Sequence, residues 1–193
     1  MERSMNKLIY LALVLMLLAA VTCASADAAN TATIEMSTSQ WKANFLAKLG
    51  EFIKQDLSKA TFDVTERPGF DTPFRFEHSC PVGDFASVLC FDDGKDAFNS
   101  GAITIKLDGV NESNSGLVWN IIFAAIMAGQ PNVTVAQADE LVNVICPAFD
   151  DVLAGKQRLN GVEGGTLYGV LYAMELNDKE RYARFLINAK MTK

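Results

Sequence analysis

Histidine occurs once in this 193-residue chain, and cysteine only four times. One histidine with dispersed cysteines cannot supply the clustered His and Cys ligands of a zinc site. Basic clusters are absent as well: 17 Lys and Arg are scattered among 23 Asp and Glu, for a net charge of −6. That balance argues against nucleic acid or anionic lipid as the main partner, since both reward a basic patch. No apolar run reaches the length of a membrane-spanning helix, about 20 residues. The two longest are Leu8–Val21 and Leu117–Ala128. There is no Gly-x-Ser-x-Gly elbow and no phosphate loop with its lysine, so no cofactor is expected.

The N-terminus is built for export. Arg3 and Lys7 precede the apolar stretch Leu8–Val21, and Ala24-Ser25-Ala26 offers the small-x-small pattern of a cleavage site. Residues 1–26 therefore read as a cleaved signal peptide, placing the mature chain in a secreted or periplasmic setting. A second reading is a lipid anchor on Cys23, which would hold the protein at a membrane surface. Its flanking Val21-Thr22 fits that motif less well than Ala24-Ser25-Ala26 fits cleavage. An uncleaved anchor is disfavoured by length. In an oxidising compartment a Cys80–Cys90 disulfide is expected, with Cys146 left as a buried thiol.

The rest reads as one α+β domain over residues 37–193, after a flexible lead-in at 27–36. Trp41, Phe45, Leu49, Phe52, Ile53 and Leu57 recur at helical spacing, so a helix is expected over about 39–59. Period-two segments follow near Phe62–Val64, Phe74–Cys80, Ser87–Phe91 and Ala102–Leu107, a pattern that reads as an antiparallel meander. Leu117–Ala128 is apolar nearly all round and reads as a buried helix. Thr134 and Gln137 form a capping box ahead of a helical pattern to about 154, which Pro147 should kink or split. Asn160-Gly161 reads as a hairpin turn, and Thr166–Leu176 and Glu180–Lys190 as long strands. The order α-ββββ-αα-βββ suggests three helices packed on one face of antiparallel sheet. Helix-then-strands occurs twice, around 39–108 and 115–190, which hints at two similar halves forming either two lobes or one continuous sheet.

Few residues could carry chemistry. His78 and Cys80 share a strand face, but neighbours two apart on one strand sit roughly 6–7 Å apart, and Phe74 and Phe76 aim that face at the core. Asp92, Asp93 and Asp96 lack the register and distal Glu of a calcium loop, and read as a solvated turn. Gly161–Thr166 leads into a strand, so its glycines read as turn or bulge positions. Asn111 and Asn132 head glycosylation-type triplets, read here as structural. By subtraction the expectation is a non-enzymatic module binding an unidentified extracellular protein or small ligand. Tyr168, Tyr172, Tyr182 and Phe185 form its candidate patch, if they do not instead pack against Leu117–Ala128. The alternative is a small extracellular hydrolase with His78 as general base.

Overall fold

A computed structural model describes residues 34–68 and 74–188. The signal peptide, its cleavage site, Cys23 and most of the lead-in lie outside the described residues. The end of the lead-in does not fit the expected flexible segment. Ile34 is buried in the core, and the Met36 carbonyl accepts a hydrogen bond from the Phe98 amide, so an apolar side chain every second residue ties this stretch down.

Helix α1 (Thr38–Ile53) starts where the Ser37 hydroxyl accepts from the Gln40 amide. Trp41, Phe45 and Leu49 form its buried stripe, with Trp41 stacked between Phe45 and Phe98. It ends short of the expected residue 59. Lys54 adopts a left-handed conformation and the chain folds back, with the Gln55 amide bonding the Gly50 carbonyl. A Cβ at Gly50 would lie 2.7 Å from the Gln55 oxygen, so only glycine permits this reversal.

Four strands follow: β1 (Asp63–Glu66), β2 (Phe76–Val82), β3 (Ala86–Asp92) and β4 (Ser100–Lys106). After a 3-10 turn at Leu107–Gly109 come α2 (Ser115–Gly129), α3 (Val135–Ile145) and α4 (Phe149–Leu153), then β5 (Gly161–Leu167), β6 (Val170–Asn177) and β7 (Tyr182–Asn188). All pairings are antiparallel, and the seven strands form one continuous sheet in the order β1-β2-β3-β4-β7-β6-β5. The protein is thus α+β.

Two expected elements are divided. The pattern over 134–154 breaks into α3 and α4 at Cys146-Pro147, because proline has no amide to donate and crowds the turn before it. The strand expected over Thr166–Leu176 turns instead at Tyr168-Gly169. Leu167 pairs with Val170, and the two loop residues have φ of 49° and 81°, the signature of a type I′ hairpin. Asn160-Gly161, expected as the turn, leads into β5, and the Asn160 side chain accepts from the Asp178 amide.

The core joins α2 to alternate strand residues, including Val88, Ile103, Ile105, Tyr172, Met174, Phe185 and Ile187. On α2, Ile121, Ile122, Ala124, Ala125 and Ile126 are all fully buried, as an element apolar on every side requires. Each buried isoleucine contributes about 1.5–3 kcal/mol by leaving water. Ile122→Ala should therefore lower unfolding free energy by about 2–5 kcal/mol in urea titration followed by circular dichroism. A loss below about 1 kcal/mol would contradict the central place of α2.

Candidate functional site

His78 is brought to an acidic partner that its strand does not supply. The β2–β3 register sets His78 opposite Cys90 and places Asp92 two residues further along the same face. There His78 Nε2 lies 2.8 Å from Asp92 Oδ2, with the two residues only 8% and 4% exposed. Lys42 of α1 reaches down to His78 Nδ1 at 3.1 Å, its ammonium also 5.9 Å from the centre of the Phe62 ring. An ammonium can only donate, so Nδ1 accepts and the Nε2–H donates to Asp92. Both ring nitrogens are occupied. The other carboxylate oxygen of Asp92 accepts from the Gly94 amide.

The arrangement has the carboxylate and imidazole of a hydrolytic triad, but a lysine stands where the nucleophile's hydroxyl would be. Cys90, across from His78, is no substitute. Burial pushes its thiol up to about 12, against a smaller opposing pull from Lys42, so it stays protonated. Cys80 is also held up, by burial first and then by the charge of Asp63. Its sulfur makes a long contact to the Pro81 carbonyl at 3.8 Å, and no His78–Cys80 pair forms.

The expected Cys80–Cys90 disulfide is corrected here: Cys80, Cys90 and Cys146 are all free and buried. Register is the reason. Cys80 faces Val88 and Cys90 faces His78, so the two cysteines are diagonal neighbours, about 7–8 Å apart in an antiparallel pair. A disulfide wants its Cα atoms within about 7 Å.

The acidic turn is used up locally. Asp93 accepts from the Lys95 amide, and Asp96 accepts from the Ser39 amide and hydroxyl at the start of α1. Among the described residues no group of three or more His, Cys, Asp or Glu is placed to hold a metal ion.

The four aromatic candidates are not brought together. Tyr172 and Phe185 are core residues whose rings stack at 5.8 Å, and the Tyr172 hydroxyl donates to Gln130. Tyr182 pairs with Asn177 and belongs to the opposite face, where its hydroxyl donates to Glu175 at 2.6 Å and Arg184 lies over its ring. Tyr168 alone is exposed, at the β5–β6 turn, where its oxygen accepts from the Gln137 side chain.

Tyr168 has company that the sequence did not advertise. Five large apolar side chains are exposed among the described residues: Val64, Phe74, Val135, Val144 and Tyr168. The last three, 42%, 67% and 61% exposed, belong to α3 and the adjoining turn. Val144 and Tyr168 line an open groove of about 320 Å³ with Leu141, Thr166 and Leu167. A larger depression of about 700 Å³ runs along α1 from Ala43 to Glu51 and the segment Lys54–Ser58, with Leu46 and Leu57 among its lining residues and most of its lining surface apolar. Neither reaches His78. Val144 could have been found as an apolar residue off the stripe formed by Ala138, Leu141, Val142 and Ile145. Lys42 and Asp92 gave less signal, being one charge on a polar helix face and one aspartate in a turn motif.

Two outcomes follow from this geometry. His78→Ala leaves Asp92 Oδ2 buried without its donor and should cost about 1–3 kcal/mol in urea unfolding. A cost near zero would mean that the pair is not formed. For the thiol, the folded value is raised above the unfolded one. Its stabilising contribution is therefore complete below about pH 8.5 and is lost as pH climbs toward about 12. The urea midpoint should fall across that window, and Cys90→Ala should flatten the fall. An unchanged slope in that variant would exclude Cys90 as its source. Comparison of the chain with family models, with curated proteins and with solved structures finds no match.

Proposed function

We propose that the domain is a non-enzymatic binding module acting outside the cytoplasm, and that it docks a protein partner at the corner formed by α3 and the β5–β6 turn. The observation that carries this reading is the presence of Val144 and Tyr168, two of the five exposed large apolar side chains among the described residues, on the lining of one open groove. Grouped apolar exposure of this kind marks an interaction site more often than scattered single residues do. The groove beside it lies at the low end of the volume range for small-molecule sites, which favours a protein surface as ligand. The acidic net charge supports a partner other than nucleic acid. Export rests on the leader at residues 1–26. Within this reading the helices share one face of the sheet. Its support is that Leu89, Leu171, Leu186 and Phe91, on the other set of strand positions, are not among the residues packed on the core.

The second reading, a hydrolase using His78, draws on the His78–Asp92 hydrogen bond. It is the less supported of the two because Lys42 occupies the remaining ring nitrogen and the imidazole is buried. Substitution separates them. Val144→Lys and Tyr168→Ser should each weaken partner retention roughly tenfold or more, as loss of a hot-spot side chain does. Lys42→Ala should leave retention unchanged in cross-linking of the exported protein. Turnover of ester or peptide substrates that disappears in His78→Gln, with retention insensitive to the corner residues, would replace the binding reading with the hydrolytic one.

A further inference from the structure

We propose that the partner at this corner is a second copy of the chain, its β5 strand pairing antiparallel with the first across a twofold axis at Gly164; this rests on the reading of the corner as a docking site. The two edges of the sheet are unequal. At one edge β1 has four residues, two of them the carboxylates Asp63 and Glu66, with Glu66 bound to Arg75. Short, charged edges resist pairing with another chain. At the other edge β5 runs for seven residues with one charge, Glu163, and neither lysine nor proline. Among the described residues its only strand partner is β6.

The hairpin fixes which backbone groups face outward. A two-residue type I′ turn is closed by a hydrogen-bonded pair, here Leu167 with Val170. Bonded and non-bonded pairs alternate along an antiparallel ladder, so Gly165, Glu163 and Gly161 also bond to β6. Val162, Gly164 and Thr166 then turn their N–H and C=O groups away from the sheet.

A second β5 satisfies all three in one register. With Gly164 opposite its own copy, Val162 faces the partner's Thr166 and Thr166 the partner's Val162, and every outward N–H meets a C=O. Glu163 then faces the partner's Gly165, so the one charge on the strand does not meet its like. Other twofold registers do worse. Centring on Glu163 sets two carboxylates against each other, which destabilises a cross-strand pair. Centring on Gly165 sets Val162 against the partner's Tyr168, which is in the left-handed turn and outside the strand. A foreign strand has no reason to match this pattern, whereas the chain's own β5 matches it by symmetry. Val144 and Tyr168, beside the edge, supply the apolar cover that an isolated ladder in water lacks.

The test is light scattering coupled to gel filtration on the full chain, with amide hydrogen exchange over a concentration series. The expected result is a dimer in which the amides of Val162, Gly164 and Thr166 are protected, with that protection falling roughly tenfold or more as dilution produces monomer. Thr166→Pro removes one outward donor but no bond to β6, a position where an edge strand tolerates proline, and should be monomeric. The exchange measurement uses the wild-type chain and decides the matter even if that variant does not fold. A monomer at every concentration overturns the proposal, as does a dimer in which these three amides exchange freely. If the monomer still retains another protein through Val144 and Tyr168, the second copy is wrong and the docking corner stands. If those substitutions are also silent, both fail.

Discussion

Everything in this architecture hangs on the ladder between β4 and β7, which runs from Ser100 opposite Asn188 to Lys106 opposite Tyr182. The chain makes β1–β4 as a meander and β5–β7 as another, and only this pairing merges the two into one sheet. The partners are some eighty residues apart in sequence, as with Thr104 and Arg184, so closing the ladder costs the entropy of a long loop before any contact repays it. Between those strands the chain sets α2, an almost wholly apolar helix, over the residues the ladder brings side by side: Ile103, Ile105, Phe185 and Ile187. Ladder and helix are therefore one cooperative unit. Without the ladder α2 would face two narrow ribbons, neither broad enough to cover its buried residues from Val118 to Ala128.

A second constraint is polar. Setting an imidazole, a carboxylate and a lysine between α1 and the sheet is worse for stability than a well-packed apolar contact of the same volume, unless every donor and acceptor is met. Here both ring nitrogens and both carboxylate oxygens are met: Lys42 donates to His78, His78 to Asp92, and the Gly94 amide to Asp92. Asp96 adds a tie from the same loop to Ser39 at the start of α1. Such a network admits one placement of the helix where an apolar contact would tolerate sliding. That role in specificity of fold is consistent with a histidine that lies buried between α1 and the sheet.

What could be read from the sequence follows the range of the physics involved. The Trp41–Phe45–Leu49 stripe, the Thr134–Gln137 capping box and the uniform apolarity of α2 are local patterns, and each stands in the structure. The turn at Tyr168-Gly169 was illegible because tyrosine seldom adopts positive φ, so nothing broke the alternating pattern. The disulfide was misjudged because spacing along the chain says nothing of cross-strand register, and a shift of two residues separates a bridge from a diagonal contact. The aromatic patch failed for the same reason: the residues alternate between faces and part of the set lies beyond a turn. His78 was visible, but Lys42 and Asp92 come to it from other elements.

The glycines of β5 join the packing of the fold to its exposed edge. Glycine within a strand costs about 0.5–1 kcal/mol in backbone entropy, so a run of them needs a cause. Part of the cause is α3: a Cβ at Gly165 would lie 3.2 Å from Ile145 and 3.5 Å from Leu141. At Gly164 it would lie 3.2 Å from the Tyr172 carbonyl. Close packing of the helix thus strips side chains from the last strand, and the same stripping leaves its outer backbone without bulk to shield it. At Gly165 a larger residue would press on Ile145 and Leu141 of α3. Retaining the helix contact leaves the edge bare, and a bare edge flanked by Val144 and Tyr168 is a surface that gains from being covered.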